Sequence, residues 1–144
     1  MACELCAHTE TPAWSLVWQD ARLRVVRVLD APAFPAFYRV IWQAHVAEFS
    51  DLSVDDRAHL MATVVVVERA LRDALSPTKV NLATLGNVVP HLHWHVIARF
   101  ALDSHFPNPI WGERLRAPDP DALARLGLAM PALDARIAAA LDRP

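Results

Sequence analysis

Three histidines alternate along Pro90-His91-Leu92-His93-Trp94-His95-Val96-Ile97-Ala98-Arg99. If this segment is a strand, His91, His93 and His95 share one face and line an exposed groove, while Leu92, Trp94 and Val96 enter a core behind it. Neighbouring rings would then stand about 6.6 Å apart, from a rise of about 3.3 Å per residue. Such a face can ligate zinc through imidazole nitrogens. It can equally perform covalent catalysis: one neutral ring attacks through Nε2 while an acceptor holds its Nδ1–H, and a neighbour gives a proton to the leaving group. An inert His-rich surface is the remaining alternative, although Thr or Gln would serve that purpose as well. Spacing alone does not choose between ligation and attack.

The second chemical feature is Cys3-Glu4-Leu5-Cys6. A C-x-x-C pair is half of a tetrahedral zinc site and needs two more ligands, for which nearby His8 can compete; otherwise the thiols are free. A thioredoxin-like redox pair is disfavoured because no strand precedes the motif to place it at a helix start.

The elements that must position these residues are legible from pattern. Trp14–Gln19 and Arg22–Val28 read as a hairpin, and Ala36–Trp42 as a third strand after Pro32 and Pro35. Ser53-Val54-Asp55-Asp56 has the layout of a capping box. Leu60, Val64, Val67, Leu71 and Leu75 then recur at helical spacing until Ser76-Pro77. His59 falls beside that stripe. Residues 79–85 and 91–100 are two further strands joined by Gly86-Asn87-Val88-Val89-Pro90, and 122–141 is a C-terminal helix that Pro131 should kink or split. The expected fold is α+β: a five-stranded antiparallel sheet with one long helix and a C-terminal helix. Residues 103–120 form a Pro-rich arm carrying His105, Phe106 and Trp111. It could cover a ligand pocket or a neighbouring subunit, but aromatic residues in loops usually serve packing, so Phe106 and Trp111 are expected as anchors.

Composition bounds the function. The chain has 144 residues, is 54% hydrophobic and 21% charged, and contains 2 Cys and 7 His. That length suits one domain with its own core, 1–144. A net charge of −2, without any run of Lys and Arg, excludes a phosphate-backbone binder, so no nucleic-acid partner is expected. The most apolar stretch, 61–67, is far shorter than the roughly 20 residues that cross a bilayer, so no membrane is expected either. The N-terminus lacks a basic flank and a long apolar core, which points to a cytoplasmic protein.

His91-Leu92-His93-Trp94-His95-Val96-Ile97 matches the histidine triad pattern, His-φ-His-φ-His-φ-φ with φ apolar, at every position. The chain resembles that family over roughly residues 3–100, while 101–144 carry little of the likeness. The resemblance implies a nucleotide hydrolase or transferase acting at an α-phosphorus, with substrates such as adenosine phosphoramidates, aminoacyl adenylates or dinucleoside polyphosphates. His93 would attack and form a nucleotidyl-imidazole that water hydrolyses. His95 would bind phosphate and act as general acid, a role suited to a ring titrating near neutrality. His91 would also line the substrate site. Asn87 matches a phosphate-binding amide, Gly86 would let the backbone approach the ligand, and Asp30 matches an acid that holds the ribose hydroxyls. An alternative for Asp30 is simply to start a turn before Pro32. His95 favours the hydrolase branches over relatives of galactose-1-phosphate uridylyltransferase, which have Gln there.

The same resemblance implies that Cys3 and Cys6 join His45 and His91 in a structural zinc site, that catalysis itself needs no cofactor, and that the protein is a homodimer. Two positions depart from the Hint-like pattern: Val88 replaces a Ser, and Phe37 replaces a His that supports the nucleophile. These departures keep a non-catalytic nucleotide sensor or scaffold in view. A zinc hydrolase built on the three strand histidines is the other alternative, opposed by the reach from His91 to His95, about 13 Å on a straight strand.

Overall fold

A computed structural model describes residues 2–7 and 11–143, so His8 lies outside the described residues. The strands are β1 (Trp14–Gln19), β2 (Leu23–Val28), β3 (Phe37–Trp42), β4 (Lys79–Ala83) and β5 (His93–Arg99). They form one antiparallel sheet in the order β1-β2-β3-β5-β4. Helix α1 (Val54–Leu75) connects β3 to β4, and α2 (Pro120–Leu141) closes the chain. The connection through α1 carries the chain past β5, so the β4–β5 hairpin inserts β5 beside β3. That insertion brings the histidine segment to the middle of the sheet.

The alternating pattern divides the sheet into two faces. Leu23, Val25, Tyr38, Val40, Trp42, Val96 and Ala98 point to one side and pack with Leu60, Val64, Val67 and Leu71 of α1 and Met130, Leu133 and Ile137 of α2. At about 25 cal/mol per Å² of apolar surface removed from water, this layer is the main stabilising element. Ser53 caps α1 by accepting from the Asp56 N–H at 3.1 Å, and Ser76 ends it in the left-handed region with φ 45°. Asp134 docks α2 on the sheet, accepting from the Tyr38 hydroxyl at 2.7 Å and pairing with Arg27 at 3.0 Å.

Three expectations about the elements need correction. First, α2 runs through Pro131 without splitting. Pro131 and the residue four before it, Gly127, both lie on the exposed side, where water can satisfy the carbonyl that proline leaves unpaired, while Met130 and Leu133 anchor the helix on either side. Second, α2 starts at Pro120 rather than Ala122, because Asp119 caps it and proline suits the first turn. Third, β4 ends at Ala83 and β5 begins only at His93, leaving His91 outside the strand. Among the described residues no helix is long and apolar enough to cross a membrane.

Candidate functional site

The face of the sheet turned away from the helices carries Arg24, Val26 and Val28 of β2, Phe37, Arg39 and Ile41 of β3, and His93, His95, Ile97 and Arg99 of β5. Two irregular segments cover its ends. The N-terminal segment lies over Val26 and Ile41 through Leu5, and Arg24 holds it by donating to the Leu5 carbonyl at 2.6 Å. The Pro-rich arm is held by Arg99, which is 1% exposed. Its guanidinium pairs with Asp103 at 2.8 and 3.0 Å, donates to Asn81 at 2.9 Å and to the Asn108 carbonyl at 2.8 Å, and lies against the Phe34 and Phe106 rings. Between the two segments lie His93, His95 and Arg39.

His93 contributes the clearest chemical geometry. Its Nδ1 lies 2.6 Å from the main-chain oxygen of His91. A carbonyl oxygen has no proton to give, so Nδ1 must carry the hydrogen, and in the neutral ring the lone pair then resides on Nε2. The Thr84 hydroxyl donates to the His93 carbonyl at 2.7 Å and fixes the start of β5. Burial holds the His93 pKa below the ordinary imidazole value; the His91 carbonyl opposes this, and the charges of Arg39 and His91 reinforce it. His95 meets His93 edge to face, with ring centroids 4.8 Å apart. Its Nδ1 is buried without a partner among the described residues. Burial first, then His93 and Arg39, push its pKa down to about 3. It is therefore a neutral ring at physiological pH, not one titrating near neutrality as its expected acid role assumed.

The open three-histidine groove is also corrected. The three rings are 0%, 8% and 5% exposed, in sequence order. His91 precedes β5 in a tight turn, its N–H bonded to the Val89 carbonyl at 2.9 Å, and its ring points toward the cysteines. Its Nε2 donates to the Trp42 carbonyl at 2.6 Å, leaving Nδ1 facing Cys3 at 3.4 Å and Cys6 at 3.5 Å. Enclosed in this way, His91 is not available to a substrate.

Cys3, Cys6, His45 and His91 each offer one ligand atom, and all four atoms lie within 4.8 Å of one another. The Cys6 sulfur is 3.3 Å from Nδ1 of His45. Bonds of about 2.3 Å to sulfur and about 2.0 Å to nitrogen imply tetrahedral edges of about 3.3–3.8 Å, so the donor set fits zinc. The bond from Trp42 to the remote nitrogen of His91 is the outer support such a ligand ordinarily has. Among the described residues this is the one group of three or more such side chains placed to hold a metal, and His93 and His95 are not in it. That removes the geometric basis for a zinc hydrolase built on the three histidines.

The other expected positions are distributed around the rings. Gly86 adopts φ 78°, a left-handed conformation that a side chain would strain, and so permits the return from β4 to β5. Asn87, in the same turn, is exposed and hydrogen-bonds to neither ring. Asp30 is exposed just after β2, and its charge acts on Arg39. Phe37 occupies the position where the Hint-like pattern has a supporting His, its ring edge to face with His95 at 5.6 Å.

Two further residues border the rings. Trp111, expected with Phe106 as an anchor of the arm, is 51% exposed and meets the His95 ring at 4.9 Å, so the arm reaches the histidines. Arg39 lies directly across from His95 in the β3–β5 register. Its signal was present as a charge in the middle of the otherwise apolar run Phe37-Tyr38-Arg39-Val40-Ile41. His59 and His105 take part elsewhere, His59 paired with Asp20 at 2.7 Å and His105 packed on Phe34 at 5.2 Å.

A family model described as the HIT domain matches residues 11–102. The fold is similar to that of a histidine triad protein from Bradyrhizobium japonicum, with 28% identity over 87% of this chain and 91% of that chain and a TM-score of 0.70. A histidine triad protein from Sinorhizobium meliloti is similar at 28% identity, 87% of each chain and a TM-score of 0.67. A hypothetical histidine triad nucleotide-binding protein from Sulfolobus tokodaii shares the fold at 19% identity, covering 94% of this chain and 91% of that chain with a TM-score of 0.64. Among curated proteins no significant match is found.

Proposed function

Since the chain belongs to the histidine triad (HIT) family, we propose that it is a nucleotide hydrolase or transferase that cleaves adenosine-type nucleotides at the α-phosphate through a covalent nucleotidyl-His93 intermediate. The observation that carries this reading is the 2.6 Å contact between His93 Nδ1 and the His91 carbonyl. It selects the tautomer whose Nε2 lone pair can attack phosphorus, and the positive charge that develops on the ring is stabilised by the same carbonyl. As the Nε2–P bond forms, the bond from phosphorus to the leaving group breaks and its electron pair departs with that group. Water then adds to phosphorus, the Nε2–P bond breaks, and the nucleoside monophosphate leaves with the water's remaining proton passing to solvent. His95, its ring edge to face with that of His93 on the same face, is the proposed second contact to a phosphate oxygen. Asn87 and Gly86 in the preceding turn, and Asp30 beyond β2, are the proposed phosphate and ribose contacts.

Cys3, Cys6, His45 and His91 would hold a structural zinc that cross-links the N-terminal segment to the sheet. The proposed assembly is a homodimer; partly exposed Leu16 on edge strand β1 and Leu82 on edge strand β4 leave apolar surface for it.

The test is direct trapping. Protein incubated with diadenosine tetraphosphate or an adenosine phosphoramidate, quenched in alkali and examined by mass spectrometry, should carry an adenylyl group on His93. His93→Ala should lose the adduct and at least about 1,000-fold in turnover. Turnover retained in His93→Ala would refute covalent catalysis, and nucleotide binding without turnover in the wild type would leave a sensor.

A further inference from the structure

Three arginines share the histidine face of the sheet, and their surroundings differ. Arg24 and Arg99 are 2% and 1% exposed, and each donates to protein acceptors that tie down a covering segment. Arg39, between those segments, has no hydrogen-bond or ion-pair partner among the described residues, and its Nε is buried. The guanidinium lies 5.4 Å from the centre of the Phe37 ring, which supports it from its own strand. Asp30 and Glu4 act on it only through longer-range charge, which offsets part of the cost of burial. Arg39 is half-buried, with Nε closed off from water, so its remaining N–H groups are left to pair with an anion that enters the face.

From this arrangement we propose that Arg39 is a specificity-determining residue that pairs with the departing group, committing the site to nucleotides whose leaving group is itself a phosphate anion. This rests on the nucleotidyl-His93 reading. The register places Arg39 opposite His95, two positions along from the Ile41–His93 pair and on the same face, where the scissile bond must lie. A leaving group expelled from phosphorus needs either a proton or a neutralising charge. A guanidinium keeps its proton at neutral pH, so it offers nothing to an amine that must be protonated to leave. To a phosphate or polyphosphate it offers two parallel N–H donors and a full charge. When His93 attacks the α-phosphorus, the electron pair of the breaking P–O bond stays on the bridging oxygen, and the anion so formed departs paired with Arg39. The neutral ring of His95 fits the same assignment, because little proton transfer is asked of it.

The experiment compares kcat/KM for diadenosine tetraphosphate and for an adenosine phosphoramidate, in wild type, Arg39→Met and Arg39→Lys. Met keeps an apolar stem over Phe37, and a melting curve for each variant establishes that it is folded. Wild type should favour the tetraphosphate. Arg39→Met should cut the ratio of the two kcat/KM values by about 30-fold or more, the scale of a charge-assisted pair. Arg39→Lys should retain part of the ratio, and added guanidinium chloride at millimolar concentration should restore part of it to Arg39→Met. An equal fall on both substrates, or a wild type that prefers the phosphoramidate, overturns the proposal while the His93 adduct still forms. Absence of any adduct in wild type with either substrate instead removes the reading beneath it.

Discussion

The indole of Trp111 meets the imidazole of His95 edge to face, with ring centroids 4.9 Å apart and planes inclined by 67°. The contact joins the tip of the Pro-rich arm to the centre of the sheet, and half of the indole remains open to solvent. Trp111→Ala should therefore cost at most about 1 kcal/mol of stability. It should raise KM about 3- to 10-fold by removing a wall of the site, with a smaller change in kcat. Steady-state kinetics beside a denaturation curve check both, and an unchanged KM would return Trp111 to a packing role.

Acid stability should carry the signature of the neutral His95 ring. Its folded pKa, about 3, lies below the unfolded value of 6.5, so the unfolded chain binds the extra proton and stability falls as pH drops through 6.5 toward 3. Between pH 7 and 5.5 this one group accounts for roughly 1 kcal/mol. The groups whose charges act on it are His93, itself held below the ordinary imidazole value by burial, and Arg39. Urea denaturation at the two pH values should show a smaller loss for His95→Asn than for wild type; parallel losses would contradict the assignment.

Zinc removal is predicted to loosen the N-terminus and, through His91, the carbonyl that orients His93. Protein purified without chelator should contain about one zinc per chain by elemental analysis. Cys6→Ser should lose it and melt about 10 °C lower, the equivalent of a few kcal/mol in a chain of this size. Metal-free wild type with an unchanged melting temperature would show that Leu5 and Arg24 hold the segment unaided.

Asp103 is the counter-ion on which the arm depends. Asp103→Ala leaves the buried Arg99 guanidinium without its carboxylate, a change that typically costs about 3–5 kcal/mol. Chemical denaturation should report that loss, and the arm should become the preferred site of limited proteolysis. A cost under about 1 kcal/mol would mean that the Asn81 and Asn108 contacts suffice.

Local periodicity made much of this molecule legible before folding. The alternation around His93 and His95, the Leu60 to Leu71 stripe and the Ser53 cap are encoded within a few residues of one another, because strand and helix geometry repeat over two and 3.6 residues. The same short range explains what could not be read. His91 belongs by spacing to the triad, yet the Cys3–Cys6 turn and the Trp42 carbonyl draw its ring out of the strand, through contacts spanning 88 and 49 positions. Pro131 could be judged only once Met130 and Leu133 had a core to enter. Arg39 looked like one charge in an apolar strand. Its meaning emerged when β5 was inserted beside β3 and set it opposite His95, with Asp30 and Glu4 near enough to act on its charge but not bonded to it. Residue types and their local spacing establish which groups can attack, ligate or carry charge. Which of them are buried together, which keep a free lone pair, and that Arg39 has no bonded partner among the described residues follow only from folding, because those properties depend on pairings that no local pattern records.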